Sequence, residues 1–302
     1  MTREIQVEPC YDTRTSTITY VVFDPETKDA VIIDPVLDYD PKASKTWTES
    51  VDRVFRFVKE RELRPHFILE THAHADHLSG SQRLAAAFPE AKVGIGEHIA
   101  DVQKMFKNIF GLPDEFPEDG RQFDVLLKDG ETFEAGSIEI SVLHTPGHTP
   151  ACVNYLIGDA LFTGDTLFMP DMGTARCDFP GGSSSNMYRS VRRLFELPDS
   201  TRVFVGHDYQ PGGREVAWET TIGEQKRSNI QIAEGVTEEE YIAMRDQRDA
   251  ILEAPQLLFQ SVQVNIDAGN LPAAQGNGLR YLRIPINVFK PEPEGEISLQ
   301  DV

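Results

Sequence analysis

The stretch Glu70-Thr71-His72-Ala73-His74-Ala75-Asp76-His77 places three imidazoles and one carboxylate within six residues. Neutral imidazole and carboxylate are donors that suit zinc, iron and manganese, and a short turn can aim them at one point. The competing reading is a solvated turn with coincidental histidines, but polar turns seldom gather this many ligand types. Pro65 to Glu70, just upstream, reads as a buried strand. Leu78 to Phe88, just downstream, reads as a helix. The tract therefore sits on a strand-to-helix turn, at the carboxyl end of a strand, where open α/β sheets place their sites.

A metal needs donors from more than one element, and the sequence downstream offers them. Leu143-His144-Thr145-Pro146-Gly147-His148-Thr149 carries histidine in a Pro-Gly turn. Thr163-Gly164-Asp165-Thr166 places an aspartate at a strand end, and Val205-Gly206-His207-Asp208-Tyr209 places another histidine. In each, a β-branched or aromatic run feeds a polar turn bearing His or Asp. His66, His98 and His144 fall outside this pattern and read as structural or surface residues.

The elements that must carry these turns are readable from periodicity. Thr17 to Phe23 and Ala30 to Pro35 flank the turn Asp24 to Asp29 and read as a hairpin. Thr48 to Leu63 has helical spacing, with Val51, Val54, Phe55 and Val58 on one face. Lys92 to Gly96 reads as a strand and Glu97 to Phe110 as a helix with a core-facing stripe. Gly111 to Gly120 is rich in proline and acid and reads as a loop that could close over the site. Phe133 to Leu143, Cys152 to Ile157, Ala160 to Thr163 and Arg202 to Val205 read as strands. Ser183 to Leu197 reads as a helix capped by Ser183, Ser184 or Ser185. Thr237 followed by three glutamates marks a helix running to about Leu252. The tail from Val262 to Asn287 shows two short strand-like runs. Two strand-rich halves, each with helices, predict an α/β fold: a four-layer αββα sandwich over residues 1–232. Residues 233–302 form a C-terminal helical and extended extension packed on it.

A net charge of −20 and the lack of any basic run disfavour nucleic acid and anionic membranes as partners. The apolar fraction of 40% suffices for a sizeable core. Three cysteines, Cys10, Cys152 and Cys177, form no C-x-x-C pair and suit a reducing compartment, cytoplasmic or organelle matrix. Met1 to Glu8 has no apolar core, so a secretory signal is not expected.

The order His-x-His-x-Asp-His, Gly-His, Gly-Asp, Gly-His resembles the metallo-β-lactamase superfamily, in the branch that includes hydroxyacylglutathione hydrolases. That resemblance implies a two-metal site holding zinc, iron or manganese. His72, His74 and His148 would bind the first ion, Asp76, His77 and His207 the second, and Asp165 would bridge. A narrower set looks like the persulfide dioxygenases: Thr71 to His77 with alanine at 75, Val31 to Val36, Thr145 to Thr149, Arg176-Cys177-Asp178-Phe179, and His207-Asp208-Tyr209. This implies one Fe(II) per chain on His72, His148 and Asp165, with His74, Asp76, His77 and His207 hydrogen-bonded around it. Two histidines and one carboxylate on one face of an octahedral ion leave positions open for a persulfide sulfur and O2.

The reaction so implied oxidises the outer sulfur of glutathione persulfide, or a related small persulfide, to sulfite and frees the thiol. Tyr209 would hold substrate or a bound water. The family's basic residue just past Asn229, which helps bind glutathione carboxylate, is replaced by Gln231, and Lys226 and Arg227 lie one helical turn earlier as substitutes. Arg176 is the candidate carboxylate clamp, with a structural salt bridge as its alternative. Asp40 to Ser50 and Phe168 to Met172 are insertions relative to better-known members. Cys177 reads either as a redox handle or as a small buried apolar residue. Three functions stay open: the dioxygenase, a dinuclear thioester hydrolase, and a metal-binding sensor module without catalysis. A homodimer is compatible with each.

Overall fold

A computed structural model describes residues 5–288. The chain opens with β1 (Gln6–Tyr11), β2 (Ile18–Phe23), β3 (Asp29–Ile33), β4 (Val36–Asp40) and β5 (Lys45–Trp47), then helix α1 (Glu49–Glu60). Next come β6 (Arg64–Leu69), β7 (Leu78–Ser79), α2 (Ser81–Ala87), β8 (Lys92–Gly96), α3 (Ile99–Phe110) and β9 (Val125–Leu127). The second half contains β10 (Thr132–Ala135), β11 (Ile138–His144), β12 (Val153–Ile157), β13 (Ala160–Phe162), α4 (Ser184–Leu194), β14 (Arg202–Phe204) and β15 (Glu219–Thr221). Helices α5 (Ile222–Ser228), α6 (Glu238–Ile251) and α7 (Leu258–Asn265) follow.

Two six-stranded sheets form, ordered β1-β2-β3-β6-β8-β9 and β10-β11-β12-β13-β14-β15. Side chains of a strand alternate between faces, and the central strands β2, β3 and β13 are buried on both faces. In β2, Ile18, Tyr20 and Val22 join the core between the sheets, with Ile138, Ile140 and Tyr155 from the second sheet. Val21 and Phe23 turn outward to pack with Val51, Val54 and Val58 of α1 and Val102 and Phe106 of α3. Met187, Val191 and Leu194 of α4 cover the second sheet. The result is the αββα sandwich expected from the sequence.

Helix ends follow local chemistry. The Ser183 hydroxyl accepts from Asn186 N and caps α4, which stops at Leu194 rather than Leu197. Thr237 and Glu240 form a reciprocal capping box at the start of α6.

Three expectations fail. Leu78 and Ser79, read as the start of a helix, form β7 against β4, and α2 begins at Ser81. Gly111 to Gly120 does not close over the site but is tied to α3: Lys107 Nζ donates to Asp114 O at 2.9 Å, and Gly120 N to Gln103 Oε1 at 2.8 Å. Its apolar Leu112 and Phe116 pack against the helical layer, which offsets its polar composition. The strand-like runs after Val262 are not strands. Val262 and Val264 lie in α7, where Leu258, Val262 and Ile266 recur at helical spacing against the α1–α3 side. Short apolar runs do not separate strand from buried helix.

The Asp40 to Ser50 segment supplies the turn and second strand of the β4–β5 hairpin, which joins β7 in a separate three-stranded sheet, and then enters α1. No helix among the described residues is long and apolar enough to cross a membrane.

Candidate metal centre

Four turns converge where the two sheets meet: those after β6, β11, β13 and β14, carrying the 72–77 tract, His148, Asp165 and His207 respectively. The sheets are stitched together there. Val153 N donates to Thr71 O at 2.9 Å, and the Tyr155 hydroxyl to Glu70 O at 2.7 Å. Close packing demands glycine before three of the donors: a Cβ on Gly147, which precedes His148, would lie 2.5 Å from Met187 Cα. Gly164 has φ +45°, and a Cβ on it would lie 2.3 Å from Thr71 Oγ1. A Cβ on Gly206 would come within 2.9 Å of the Gly164 backbone.

His72, His148 and Asp165 bring one ligand atom each within 4.8 Å of one another, as do His74, Asp76 and His207. His72 Nε2 lies 3.9 Å and His148 Nε2 3.7 Å from Asp165 Oδ2. On the other side of that carboxylate, His207 Nε2 is 3.2 Å from Oδ1 and 3.5 Å from Asp76 Oδ2. His77 joins no such trio among the described residues.

Outward hydrogen bonds fix the tautomers. His148 Nδ1 donates to the Arg176 carbonyl at 2.8 Å, which can only accept, so Nε2 keeps the lone pair. The Thr71 hydroxyl donates to Asp34 Oδ2 at 2.8 Å, and its oxygen therefore accepts from His72 Nδ1 at 3.0 Å. Asp34 is itself placed by a left-handed backbone, φ 50°, a region aspartate tolerates better than most residues. His77 Nδ1 donates to Leu78 O at 3.1 Å.

The inward atoms His72 Nε2, His77 Nε2, Asp165 Oδ1 and both His207 nitrogens are buried without hydrogen-bond partners. Buried polar atoms are ordinarily satisfied, so this concentration of unpartnered ring nitrogens around a carboxylate oxygen fits a bound cation. His74 differs. Its Nε2 lies 3.0 Å from Asp34 Oδ1 and 3.4 Å from Glu70 Oε2, close contacts that lack hydrogen-bond alignment.

Electrostatics divide the histidines into two groups, with His74 and His207 on one side and His72, His148 and His77 on the other. Burial, then the charge of His74, pushes His72 well below the usual imidazole range, and burial lowers His148 and His77. For His74 burial works against charging, but Asp34 and Glu70 outweigh it and raise the imidazole well above that range. For His207, Asp165 and Asp76 likewise overcome burial and lift it to about 9. Burial opposes ionising Asp165, yet His207, His72 and His148 hold it well below the carboxylate range.

A cavity of about 710 Å³ opens onto His148, Asp165 and Asp76. Its walls include Tyr39 and Trp47 from the β4–β5 hairpin, Phe168 and Met172 from the loop after β13, and Tyr209. The Tyr209 ring stacks on His207 at 5.7 Å and is half exposed. Phe179 meets His148 edge-on at 5.0 Å.

The basic residues are arranged differently from the expectation. Lys226 and Arg227 line no part of this cavity; they lie on α5, paired with Asp199 and Glu224 at 2.7 and 3.0 Å. Gln231 is buried, its Oε1 accepting from Thr174 N at 3.0 Å and Arg245 Nη1 at 3.1 Å. Arg176 does line the cavity, but Asp178 already occupies its fork at 2.6 and 2.7 Å, the salt-bridge alternative. Arg14, Arg245 and Arg248 line it too, and sequence reasoning missed all of them. Arg14 and Arg245 have carboxylate partners, whereas Arg248 is exposed and makes no ion pair or hydrogen bond among the described residues. Nothing local marks them, because their proximity to the site depends on where α6 and the first turn pack.

Cys177 is buried and burial drives its thiol far above its usual value, the behaviour of a small apolar residue. His66 pairs with Asp29 at 2.7 Å, and His98 stacks on His144 at 4.4 Å, away from the centre as expected.

This site and this sandwich define a metal-dependent αββα enzyme scaffold, and comparison with known proteins names it. The sequence profile of the metallo-beta-lactamase superfamily matches residues 12–207, and the chain belongs to that superfamily. It is 47% identical over 291 residues to Glyoxylase B2 of Dictyostelium discoideum, covering 96% of this chain and 100% of that protein. A probable metallo-hydrolase of Burkholderia pseudomallei is 46% identical, with 94% and 99% covered. The mitochondrial persulfide dioxygenase ETHE1 of Bos taurus is 29% identical, with 86% and 87% covered. The crystal structure of ETHE1 from Myxococcus xanthus superposes with a TM-score of 0.70 at 33% identity, covering 88% of this chain and 100% of that one.

Proposed function

We propose that this chain is a mononuclear Fe(II) persulfide dioxygenase acting on glutathione persulfide or a related small persulfide. The observation that carries the reading is the grouping of His72, His148 and Asp165 around one point while His74 turns its Nε2 toward Asp34 and Glu70. That leaves a two-histidine, one-carboxylate set, the donor set of non-haem iron oxygenases. The likeness to the persulfide dioxygenases in sequence and fold supports it.

Ferrous iron held there supplies open coordination positions for the persulfide sulfur and O2. The outer sulfur is oxidised to the sulfite level, O2 takes the electrons, one water supplies the third oxygen, and the sulfur–sulfur bond breaks to release the thiol. The protein's part is to hold, orient and exclude. The Thr71 and Arg176 acceptors aim His72 and His148. Phe168 and Phe179 cover the histidines on the cavity side and limit water. Tyr209, whose phenol keeps its proton near neutral pH, faces the cavity as a hydrogen-bond donor for the sulfur or a water. Arg248, whose side chain has no partner among the described residues, meets the anionic end of the carrier thiol, and Arg176 stays bound to Asp178.

The test is metal content and O2 uptake on one anaerobically reduced, iron-loaded sample. One iron per chain with persulfide-dependent O2 consumption and sulfite release is the expected result. Absence of O2 uptake with every small persulfide would end the reading.

A second reading has its own support. The trio His74, Asp76 and His207 could take a second ion, and 46–47% identical relatives carry the names Glyoxylase B2 and probable metallo-hydrolase. A two-metal thioester hydrolase would bind two ions per chain and turn over lactoylglutathione, which the dioxygenase would not.

A further inference from the structure

Helix α6 lies outside the segment matched by the superfamily profile, yet it reaches the loop behind His148. Asp249 Oδ2 accepts from Cys177 N at 2.7 Å. Its Oδ1 accepts from Arg245 Nε at 2.9 Å and Nη2 at 2.5 Å. Arg245 Nη1 also donates to Thr174 O at 3.2 Å. One turn earlier, the Tyr241 phenol meets the Thr174 hydroxyl at 2.7 Å. Tyr241, Arg245 and Asp249 are spaced by four residues and so share one face of the helix. That face is buried.

These bonds pin the loop at Thr174 and at Cys177. Between them lies Arg176, whose carbonyl receives His148 Nδ1–H at 2.8 Å. Thr174, Cys177, Arg245 and Asp249 are all at most 7% exposed, so the pinned segment has little freedom to rotate its peptide planes. A buried ion pair is a poor stabiliser in itself, because desolvation offsets the attraction. What this one does is aim a carbonyl.

We infer that the Arg245–Asp249 pair of α6 is a positioning device for the metal centre: it fixes the Arg176 carbonyl, and through it the lone pair of His148 Nε2. Neither residue is among the metal donors, and although Arg245 borders the cavity its guanidinium is committed to Asp249, Thr174 and Gln231. The inference concerns the metal site alone and holds whichever reaction the site performs.

The experiment uses the full chain with Co(II) as the probe. Co(II) affinity is measured by competition titration, ligand geometry by the visible absorption of the bound ion, and folding by urea denaturation. In the double variant Arg245→Met/Asp249→Leu, an apolar pair replaces the ion pair, and the Cys177 N–H and Thr174 carbonyl lose their partners, so a lowered urea midpoint is expected and Co(II) affinity and spectrum are the deciding readouts. Loss of an outer support of this kind weakens Co(II) binding roughly 10- to 100-fold and alters the absorption spectrum. Arg189→Ala is the control. It removes the 3.2 Å ion pair to Glu238, which also ties α6 to α4 but does not touch the loop, and it should leave affinity and spectrum unchanged.

A merely structural role would lower the urea midpoint and leave Co(II) affinity and spectrum as in the wild type. That outcome overturns the inference. Should the double variant not fold, Asp249→Asn decides in the same way: a spectral change with weaker binding supports the role, and wild-type affinity within twofold refutes it.

Discussion

Thr71→Val tests the tautomer relay most directly. Valine keeps the β-branched shape and the backbone bond from Thr71 N to Asp34 Oδ1 at 2.7 Å. It removes a hydroxyl that is 1% exposed as part of Thr71 and holds two partners, Asp34 Oδ2 and His72 Nδ1. The first bond is charge-assisted and contributes about 1.5–3 kcal/mol; the second is neutral and contributes about 1 kcal/mol. The added methyl recovers part of this through apolar burial, about 0.8 kcal/mol. The metal-free protein should therefore lose about 2–3 kcal/mol in urea denaturation.

The larger signature is in metal binding. Without its acceptor, His72 Nδ1–H is buried and unpaired, and the tautomer that carries the proton on Nε2 becomes competitive. That form has no lone pair to offer Asp165's side of the site. Divalent-metal affinity should drop by roughly 10- to 100-fold, read by chelator competition. If stability falls as expected while affinity stays within twofold of wild type, Thr71 is only a packing residue and the relay is wrong.

Further outcomes follow from the same geometry. Gly164→Ala places a Cβ 2.3 Å from Thr71 Oγ1 at φ +45°, so unfolding stability should fall by more than about 2 kcal/mol, with metal binding impaired in whatever folds. Arg248→Gln should raise KM several-fold for a carboxylate-bearing persulfide, leave KM for an uncharged one unchanged, and be rescued by Arg248→Lys; equal effects on both would remove Arg248 from substrate binding. Burial raises Asp267 to about 6 from 3.8, so the folded state binds its proton more tightly than the unfolded state. Its penalty is present above pH 6 and is relieved as pH falls toward 3.8; Asp267→Asn should therefore stabilise the protein at pH 7 by about 1–2 kcal/mol, after allowance for solvent screening, and flatten the pH 4–6 part of its stability profile. Chelating the metal should lower the thermal midpoint, with recovery on adding Co(II) in proportion to ligand excess over Kd; an unchanged midpoint would mean that the buried lone pairs are satisfied some other way.

The sequence by itself determined the donors and the scaffold. The 72–77 tract, His148, Asp165 and His207 each follow a strand-forming run and sit in a turn, and those signals are local: side-chain alternation, Gly-Pro punctuation and donor type. Helix α6 was legible for the same reason, since Thr237 and Glu240 cap it within four residues. The lid and the late strands were misread because whether Gly111 to Gly120 packs on α3 or over the cavity, and whether Val262 and Val264 lie in strand or helix, depends on partners far away in the chain.

Only the tertiary structure decided how the donors divide. It set His74 beside Asp34 and Glu70, grouped His72 and His148 with Asp165, and left His77 outside every such trio among the described residues. It also moved the cavity's basic residues from α5 to α6, so that Arg248 faces the cavity while Lys226 and Arg227 pair on the surface. The physical reason is common to both. Residue type and spacing state what a side chain can donate, but which atom it aims, and at whom, is set by ångström-scale distances between elements that sequence neighbours do not encode.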